Sequence, residues 1–424
     1  MNIAITGIGI ISHAGINIET TRSVLHCHDS LPPLNPPTLF KTSLNVPVGE
    51  VPLNNEELRR TLPPRSDFTL PIPCSRTALL GIHAALQALT DAFTTNEKGL
   101  PSLPQIPIGI ISGSTVGGMD LSEQFYSKFM EAPSAADLNL IRGHDCADST
   151  QLIARYCGLT GLTSTLSTAC SSSANAILLA ARLIEQGQAD ILLAGGCDAL
   201  CRFTLNGFAS LKLLDPAPCR PFAADRAGLN LGEGAAYLVL QSTRSIESAL
   251  RKDIFPVHSP YGYFIGGANR NDAFHQTASS EEGTGPLMAM TEAIQMAKLT
   301  PDKIDYINAH GTGTRNNDMS ESNAIASLFS KNSQGIPPFS STKPLTGHTL
   351  GAAGAIEAVL SLLMMQEGIL FPNLNMTTPD PLLPAAPLKI KSTLPITHIL
   401  SNSFGFGGND TSLIFSSNSS HDTA

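Results

Sequence analysis

The sequence predicts an α/β protein with a largely buried sheet and an internally duplicated fold. Three observations predict it. Short apolar, β-branched runs alternate with helical patterns along the chain, as in a sheet covered by helices. Two of those helices are apolar nearly all round, so both must be buried. The segments holding them echo each other. Cys170 to Gly187 and His348 to Gly368 each run from a reactive residue through a Ser/Ala/Gly-rich start and an apolar helix to Glu/Gln and Gly.

The elements follow in order. Residues 2–12 read as an apolar strand, and 31–73, with ten prolines, as an irregular surface excursion. Ser75 to Leu89 has helical apolar spacing. Residues 106–112 read as a buried strand before the Gly-rich turn Gly113–Gly118. Residues 163–169 lead to Cys170, and Ser173 to Glu185 form a small-residue helix. Strands are expected at 190–194 and 232–240. The second half repeats this alternation, with a helix at 286–298, a strand at 304–308, a helix at 319–329, and a second small-residue helix from Gly351 to Gln366. Strands at 398–402 and 411–416 close the chain around a Gly turn, and a polar tail follows.

At 424 residues the chain is too long for one small core. It suits either two domains or one large body of two similar halves. Apolar residues make up 42% and charged ones 14%, which argues against a disordered chain. Net charge is −9, with 26 Lys+Arg, and aromatics are 5% without Trp. These features argue against nucleic-acid and anionic-membrane surfaces. No uncharged apolar run reaches about 18 residues, and no membrane span is expected. The N-terminal MNIAITGIGIISHAGI lacks a basic stretch and reads as a strand, not a signal peptide.

None of the eight cysteines forms a C-x-x-C pair. Reduced thiols in a cytoplasmic protein are expected, with no metal site. The Gly-rich starts at Thr6–Gly9 and Gly113–Gly118 read as backbone turns, since the first lacks the third Gly of a dinucleotide fingerprint.

Three junctions gather reactive side chains. Cys170 lies where a strand ends and a helix begins, where amides and the helix dipole are expected to lower its pKa. His310 enters a Gly/Thr turn in Asn308-Ala309-His310-Gly311-Thr312-Gly313-Thr314. His348 precedes the second small-residue helix, with Lys343 five residues before it.

These segments resemble the β-ketoacyl-acyl carrier protein synthases of the elongating, two-histidine type (type II) in the thiolase superfamily. The motifs are TACSSSANAI (168–177), NAHGTGT (308–314) followed by Asp318 and Glu321, STKPLTGHTLGAAGAIE (341–357) and NSFGFGG (402–408). GSTVGG (113–118) and RPFAADRAGLNLGEGAA (220–236) are similar too, and the resemblance runs from residue 2 to about 416. It implies a thiolase-like duplicated α-β-α-β-α layered fold. An N-terminal half, 1–252, would carry the nucleophilic Cys; a C-terminal half, 253–416, would carry both His; and a disordered tail would span 417–424.

The resemblance also implies roles. Cys170 would take an acyl chain from a phosphopantetheine arm, with the amides of Cys170 and Phe406 as oxyanion hole. His310 and His348 would stabilise the enolate formed when malonyl-carrier protein loses carbon dioxide. Lys343 would join the catalytic set, with Glu321 and Asp318 as support. Thr312 and Thr314 would hold the pantetheine arm, Phe406 would gate the site, and Val116 and Phe208 would line the acyl tunnel. The partners implied are acyl carrier protein and a dimer mate, either a second copy or a related ketosynthase-like chain. No cofactor is implied beyond the arm that carries the substrates. The pathway would be fatty-acid synthesis or a specialised polyketide or aryl-polyene type.

Two departures stand out. Asn409-Asp410 replaces the family's usual Thr-Asn, and the region before Arg76 is Pro-rich, leaving Lys212 as the docking cation. Two alternatives are a degradative thiolase and a non-catalytic chain-length partner. The first needs a second Cys near the C-terminus, yet none follows Cys219; the second lacks the active Cys.

Overall fold

The computed structural model describes residues 2–27, 33–250 and 259–418. The expected boundary at 252/253 and most of the expected tail lie outside the described residues.

The first strand, β1 (Ile3–Ser12), is buried at every residue, as a central strand covered on both faces must be. Gly7 and Gly9 lie within it rather than in a turn. They let helix α1 (Arg76–Ala92) press onto the strand: a Cβ at Gly9 would stand 2.0 Å from the Ala84 carbonyl oxygen. Four more strands complete the first half: β2 (Ile108–Gly113), β3 (Thr163–Leu166), β4 (Ile191–Asp198) and β5 (Gly234–Gln241). The second half has β6 (Gly262–Asn271), β7 (Tyr306–Asn308), β8 (Phe339–Ser340), β9 (His398–Gly405) and β10 (Asn409–Ser416).

The strand order is β3-β2-β4-β5-β1-β6-β10-β9-β7-β8. Read outward from the β1–β6 contact, the two halves match. β2 runs parallel to β3 and β4, β5 pairs antiparallel with β4, and β1 with β5. In the same way β7 runs parallel to β8 and β9, β10 pairs antiparallel with β9, and β6 with β10. The duplication expected from the two small-residue helices therefore extends to the whole sheet.

Those helices are α3 (Ser172–Glu185) and α7 (Ala353–Glu367), and each packs on strands of both halves. Small residues set their spacing. A Cβ on Gly354 would meet Ala174 Cβ at 2.7 Å, and the Ala355 amide donates to Ser173 Oγ at 2.9 Å. α1 and α2 (Cys146–Cys157) cover the outer face of the first half; α5 (Thr284–Met296) and α6 (Arg315–Phe329) cover that of the second. The result is an α-β-α-β-α stack whose largest apolar cluster surrounds the central helices. Leu350–Glu367 is long and apolar enough to cross a membrane by length and composition alone, but it carries Glu357 and Glu367, and 89% of it is buried inside this stack.

Several boundaries move. The run before Cys170 leaves the sheet at Leu166, and α6 starts at Arg315 rather than residue 319. β10 starts at Asn409, so Asn409 and Asp410 are strand residues, and only Phe406–Gly408 form the turn. The Pro-rich stretch is not wholly irregular. It holds a short helix, Asn55–Thr61, fixed by a reciprocal Asn54/Glu57 capping box. Val48 and Val51 are buried, and Gly49 exchanges backbone hydrogen bonds with Leu231 and Glu233.

Candidate active site

The strand ends of both halves meet beside the central helices. Cys170 comes from the first half; His310, after β7, and His348, before α7, come from the second. Ala169 is held at φ 52°, a left-handed conformation that costs a non-glycine residue energy and turns the chain sharply into Cys170. Gly405 packs against this bend, since a Cβ there would lie 3.1 Å from the Thr168 oxygen and 3.3 Å from the Cys170 nitrogen.

Cys170 Sγ lies 3.1 Å from His348 Nε2, and the two imidazole rings stand 5.3 Å apart, edge to face. All three side chains line a cavity of about 350 Å³ and are themselves buried. The far nitrogen of each imidazole is engaged. The Leu350 amide donates to His348 Nδ1 at 3.3 Å, and Lys343 Nζ lies 3.2 Å from His310 Nδ1. With Nδ1 accepting, each neutral ring carries its proton on Nε2. Burial and the Lys343 charge hold both histidines well below the usual imidazole pKa; for His310 the neighbouring His348 adds to this. Two neutral N–H donors thus face the nucleophile.

The thiol itself departs from expectation. Burial pushes Cys170 up to about 11, although Lys343 and the Phe406 amide act in the opposite direction. The helix-start argument counted the local dipole but not complete burial, and α3 begins two residues later at Ser172.

Lys343 does not line the cavity. It stands behind His310, giving hydrogen bonds to the His310 carbonyl and Glu357 Oε1, both at 2.5 Å. Glu321 also stands behind the site. It accepts from the His310 amide at 2.9 Å, the Gly311 amide at 2.8 Å and Asn402 Nδ2 at 3.0 Å, and burial raises its pKa to about 7. Asp318 accepts from the Phe222 and Gly313 amides and pairs with Arg226, so it braces the turn from outside the cavity.

Thr312 and Thr314 line the cavity, with their hydroxyls 2.8 Å apart. Phe406 and Phe208 line it too, with near-parallel rings 5.8 Å apart. Val116 does not line it; Val116 is buried beside Leu205, Leu229, Leu231 and Leu350. Arg76, just after the Pro-rich region, holds Glu233 and backbone carbonyls. One residue escapes the sequence reading, Glu357, and another, Asn409, is marked there only as a departure from the family's pattern. Glu357 is buried near the start of a largely apolar helix whose other acid, Glu367, is its last residue. Asn409 Oδ1 accepts from Ser171, Asn175 and Asn269, tying β10 to the start of α3.

Cys170, His310 and His348 place their ligand-type atoms within 4.8 Å of one another, close enough for a metal ion. The tautomers oppose it: donors already occupy both Nδ1 atoms, so each Nε2 presents a proton instead of a lone pair.

A sulfur nucleophile on a strained bend, faced by two N–H donors, defines an acyl-transfer site that can also stabilise a carbanion. Comparison with known proteins agrees. Residues 2–245 match the model of the beta-ketoacyl synthase N-terminal domain, and 261–377 that of the C-terminal domain. A 3-oxoacyl-[acyl-carrier-protein] synthase 2 of Staphylococcus aureus (strain MRSA252) is 31% identical over 98% of both chains. One of Rhizobium meliloti (strain 1021) is 37% identical over 78% of each. A mitochondrial synthase of Arabidopsis thaliana is 39% identical over 59% of this chain and 55% of its own length. Among solved structures, the ishigamide ketosynthase/chain length factor superimposes with a TM-score of 0.87 at 29% identity, covering 98% and 99% of the two chains. A chain of the complex of the ketosynthase ApeO with its chain length factor ApeC from Xenorhabdus doucetiae gives 0.81 at 31% identity over 98% of each. The chain belongs to the β-ketoacyl synthase family, acyltransferases of the thiolase-like fold.

Proposed function

We propose that the protein condenses an acyl group held on Cys170 with malonyl-acyl carrier protein, giving a 3-oxoacyl product two carbons longer. One arrangement carries this reading: Lys343 and the Leu350 amide face the two Nδ1 atoms, which leaves each neutral ring its Nε2–H, with His348 Nε2 3.1 Å from the Cys170 sulfur and His310 beside it.

In the first half-reaction Cys170 Sγ attacks the acyl thioester. The S–C bond to the pantetheine sulfur breaks, and the Cys170 proton ends on the departing thiol. The amides of Cys170 and Phe406 bind the tetrahedral oxyanion. The malonyl thioester enters next, past Phe406. Its C–C bond to the carboxylate breaks, carbon dioxide leaves, and the electron pair moves toward the thioester oxygen. His310 and His348 donate to that oxygen while remaining neutral. The resulting carbanion attacks the Cys170 thioester carbonyl and expels the Cys170 thiolate. The chemistry needs no cofactor beyond the pantetheine arm.

The partners proposed are acyl carrier protein and a second ketosynthase-like chain. Similarity to ketosynthases solved with chain length factors favours a related chain over a second copy, and a specialised pathway over housekeeping synthesis. Intact-protein mass spectrometry tests the central claim. On mixing with acyl-carrier protein, wild type gains one acyl group and Cys170→Ala gains none. Acylation that persists in the variant overturns the assignment.

A further inference from the structure

Asp198, the last residue of β4, is fully buried and stands outside the catalytic cavity. Five donors meet its carboxylate. Ser114 Oγ at 2.7 Å, the Thr115 amide at 3.0 Å and the Val116 amide at 3.0 Å donate to Oδ1. Thr115 Oγ1 at 2.6 Å and the Gly351 amide at 2.7 Å donate to Oδ2. All but one of these donors belong to the turn that follows β2. The exception, Gly351, comes from the second half of the chain, three residues beyond His348.

The Gly351 contact is tight. A Cβ there would stand 2.7 Å from Asp198 Oδ2 and 3.0 Å from the Thr115 nitrogen, so the two segments meet only over a glycine. Leu350, one residue earlier, is held at φ 51°, a left-handed conformation that is costly for a side chain of its size. Two contacts keep it there. Its side chain is buried beside Val116, Leu229 and Leu205 of α4 (Arg202–Ser210), and the amide of the next residue is clamped on Asp198. In this conformation the Leu350 amide reaches His348 Nδ1. The backbone of His348 is fixed from another side: its amide donates to the Asn230 carbonyl, and its carbonyl accepts from the Gly232 amide. Asp198 therefore acts on the donor to the ring and not on where the residue sits.

We infer that Asp198 is a positioning residue for His348: by clamping Gly351 to the turn at 114–116 it holds Leu350 in its strained conformation, and so fixes the imidazole as an Nε2–H donor. What that donor does rests on the ketosynthase reading; the clamp itself does not. Released from the clamp, Leu350 relaxes out of the left-handed region and its amide turns away from Nδ1. The ring is then free to carry its proton on Nδ1 and to present the Nε2 lone pair to Cys170 Sγ, 3.1 Å away. A donor to the substrate oxygen becomes an acceptor for the thiol.

Asp198→Asn opens the clamp selectively. Its amide oxygen must face the Thr115 and Val116 amides, which cannot accept, so its NH2 group meets the Gly351 N–H. Gly351→Ala opens the clamp from the other side and leaves the carboxylate in place. Tyr237→Phe is the control, since it removes a buried 2.6 Å hydrogen bond to Ser112 that the clamp does not use.

The test reads His348 directly. Its ring-nitrogen NMR resonances, assigned by their loss in His348→Ala, report which nitrogen carries the proton. In wild type and Tyr237→Phe the proton is expected on Nε2. In Asp198→Asn and Gly351→Ala it is expected to move at least partly to Nδ1. Decarboxylation of malonyl-carrier protein should fall in both by about tenfold to a hundredfold, the range for removing an outer hydrogen-bond partner of a working histidine, while acylation of Cys170 falls far less. A proton that stays on Nε2 in both variants overturns the proposal. So does an equal loss in Tyr237→Phe, which would mean general loosening. Should Asp198→Asn not fold, Gly351→Ala carries the test alone. Wild type that decarboxylates nothing fails the ketosynthase reading, while the ring resonances still decide the clamp.

Discussion

Lys343 Nζ lies 3.2 Å from His310 Nδ1 and also binds the His310 carbonyl, so one ammonium fixes both the proton and the position of the imidazole. The Leu350 amide donates to His348 Nδ1 at 3.3 Å and so fixes the proton of that ring. Each ring therefore spends its acceptor on the protein and keeps its donor for the substrate.

That arrangement predicts a split between half-reactions. His310→Ala is expected to lose decarboxylation of malonyl-carrier protein by about 10²-fold or more, as for removal of one oxyanion donor. Acylation of Cys170 should fall far less. His348→Ala should also lose decarboxylation most, with some loss of acylation because its Nε2 touches the sulfur. Parallel assays of released carbon dioxide and of acyl-enzyme mass separate the two. Equal losses would argue for a general-base role instead.

The raised pKa of Cys170 predicts a steep pH dependence for the resting enzyme. The thiol stays protonated until near pH 11, so the thiolate fraction rises about tenfold per pH unit below that. Iodoacetamide alkylation of Cys170 should climb through pH 7–9 without a plateau. Lys343→Ala removes the charge that favours the thiolate and should slow alkylation at each pH. A plateau below pH 8 would show a stabilised thiolate.

Lys343 and Glu357 form a buried ion pair at 2.5 Å, with 2% and 3% of their side chains exposed. Removing one partner strands the other. Lys343→Met is expected to cost about 3–5 kcal/mol in urea unfolding, and Lys343→Met/Glu357→Gln to recover much of it. The double variant would still lack the His310 lock. Stability should therefore return in it while decarboxylation stays low, which separates positioning from folding.

What the sequence made legible follows from where information is local. Cys170, His310 and His348 each sit where a strand gives way to Gly or small residues, and such junctions leave a mark in the chain. The two apolar helices disclosed the duplication because all-round burial leaves few polar residues. Glu357 was missed because its partner Lys343 lies on another element, and only the folded chain joins them. The Pro-rich stretch looked free of the core because prolines report on ladders and helices. The burial of Val48 and Val51 depends instead on the chain entering β5. The pKa of Cys170 was misjudged for a related reason: a dipole can be read from neighbours in sequence, desolvation cannot.

Asp410 gives the last prediction. This carboxyl, in β10, is fully buried, and neither oxygen has a hydrogen-bond partner among the described residues. Its Oδ2 fills the space where a side chain on Gly285 would stand, and Asp272 and Glu321 face it. Arg270, opposite it on β6, is turned to Glu292. Burial first, then those two carboxylates, push its pKa to about 8. The folded chain thus holds a proton there that the unfolded chain releases near pH 4. Stability from this group is full below pH 4 and is lost as pH rises toward 8, with a slope approaching about 1.4 kcal/mol per pH unit. Asp410→Asn has no proton to lose. Its stability relative to wild type, measured by urea unfolding, should therefore rise steadily from pH 5 to 8 and level off above. Parallel stability curves for the two proteins would mean that Asp410 is ionised in the fold despite its surroundings.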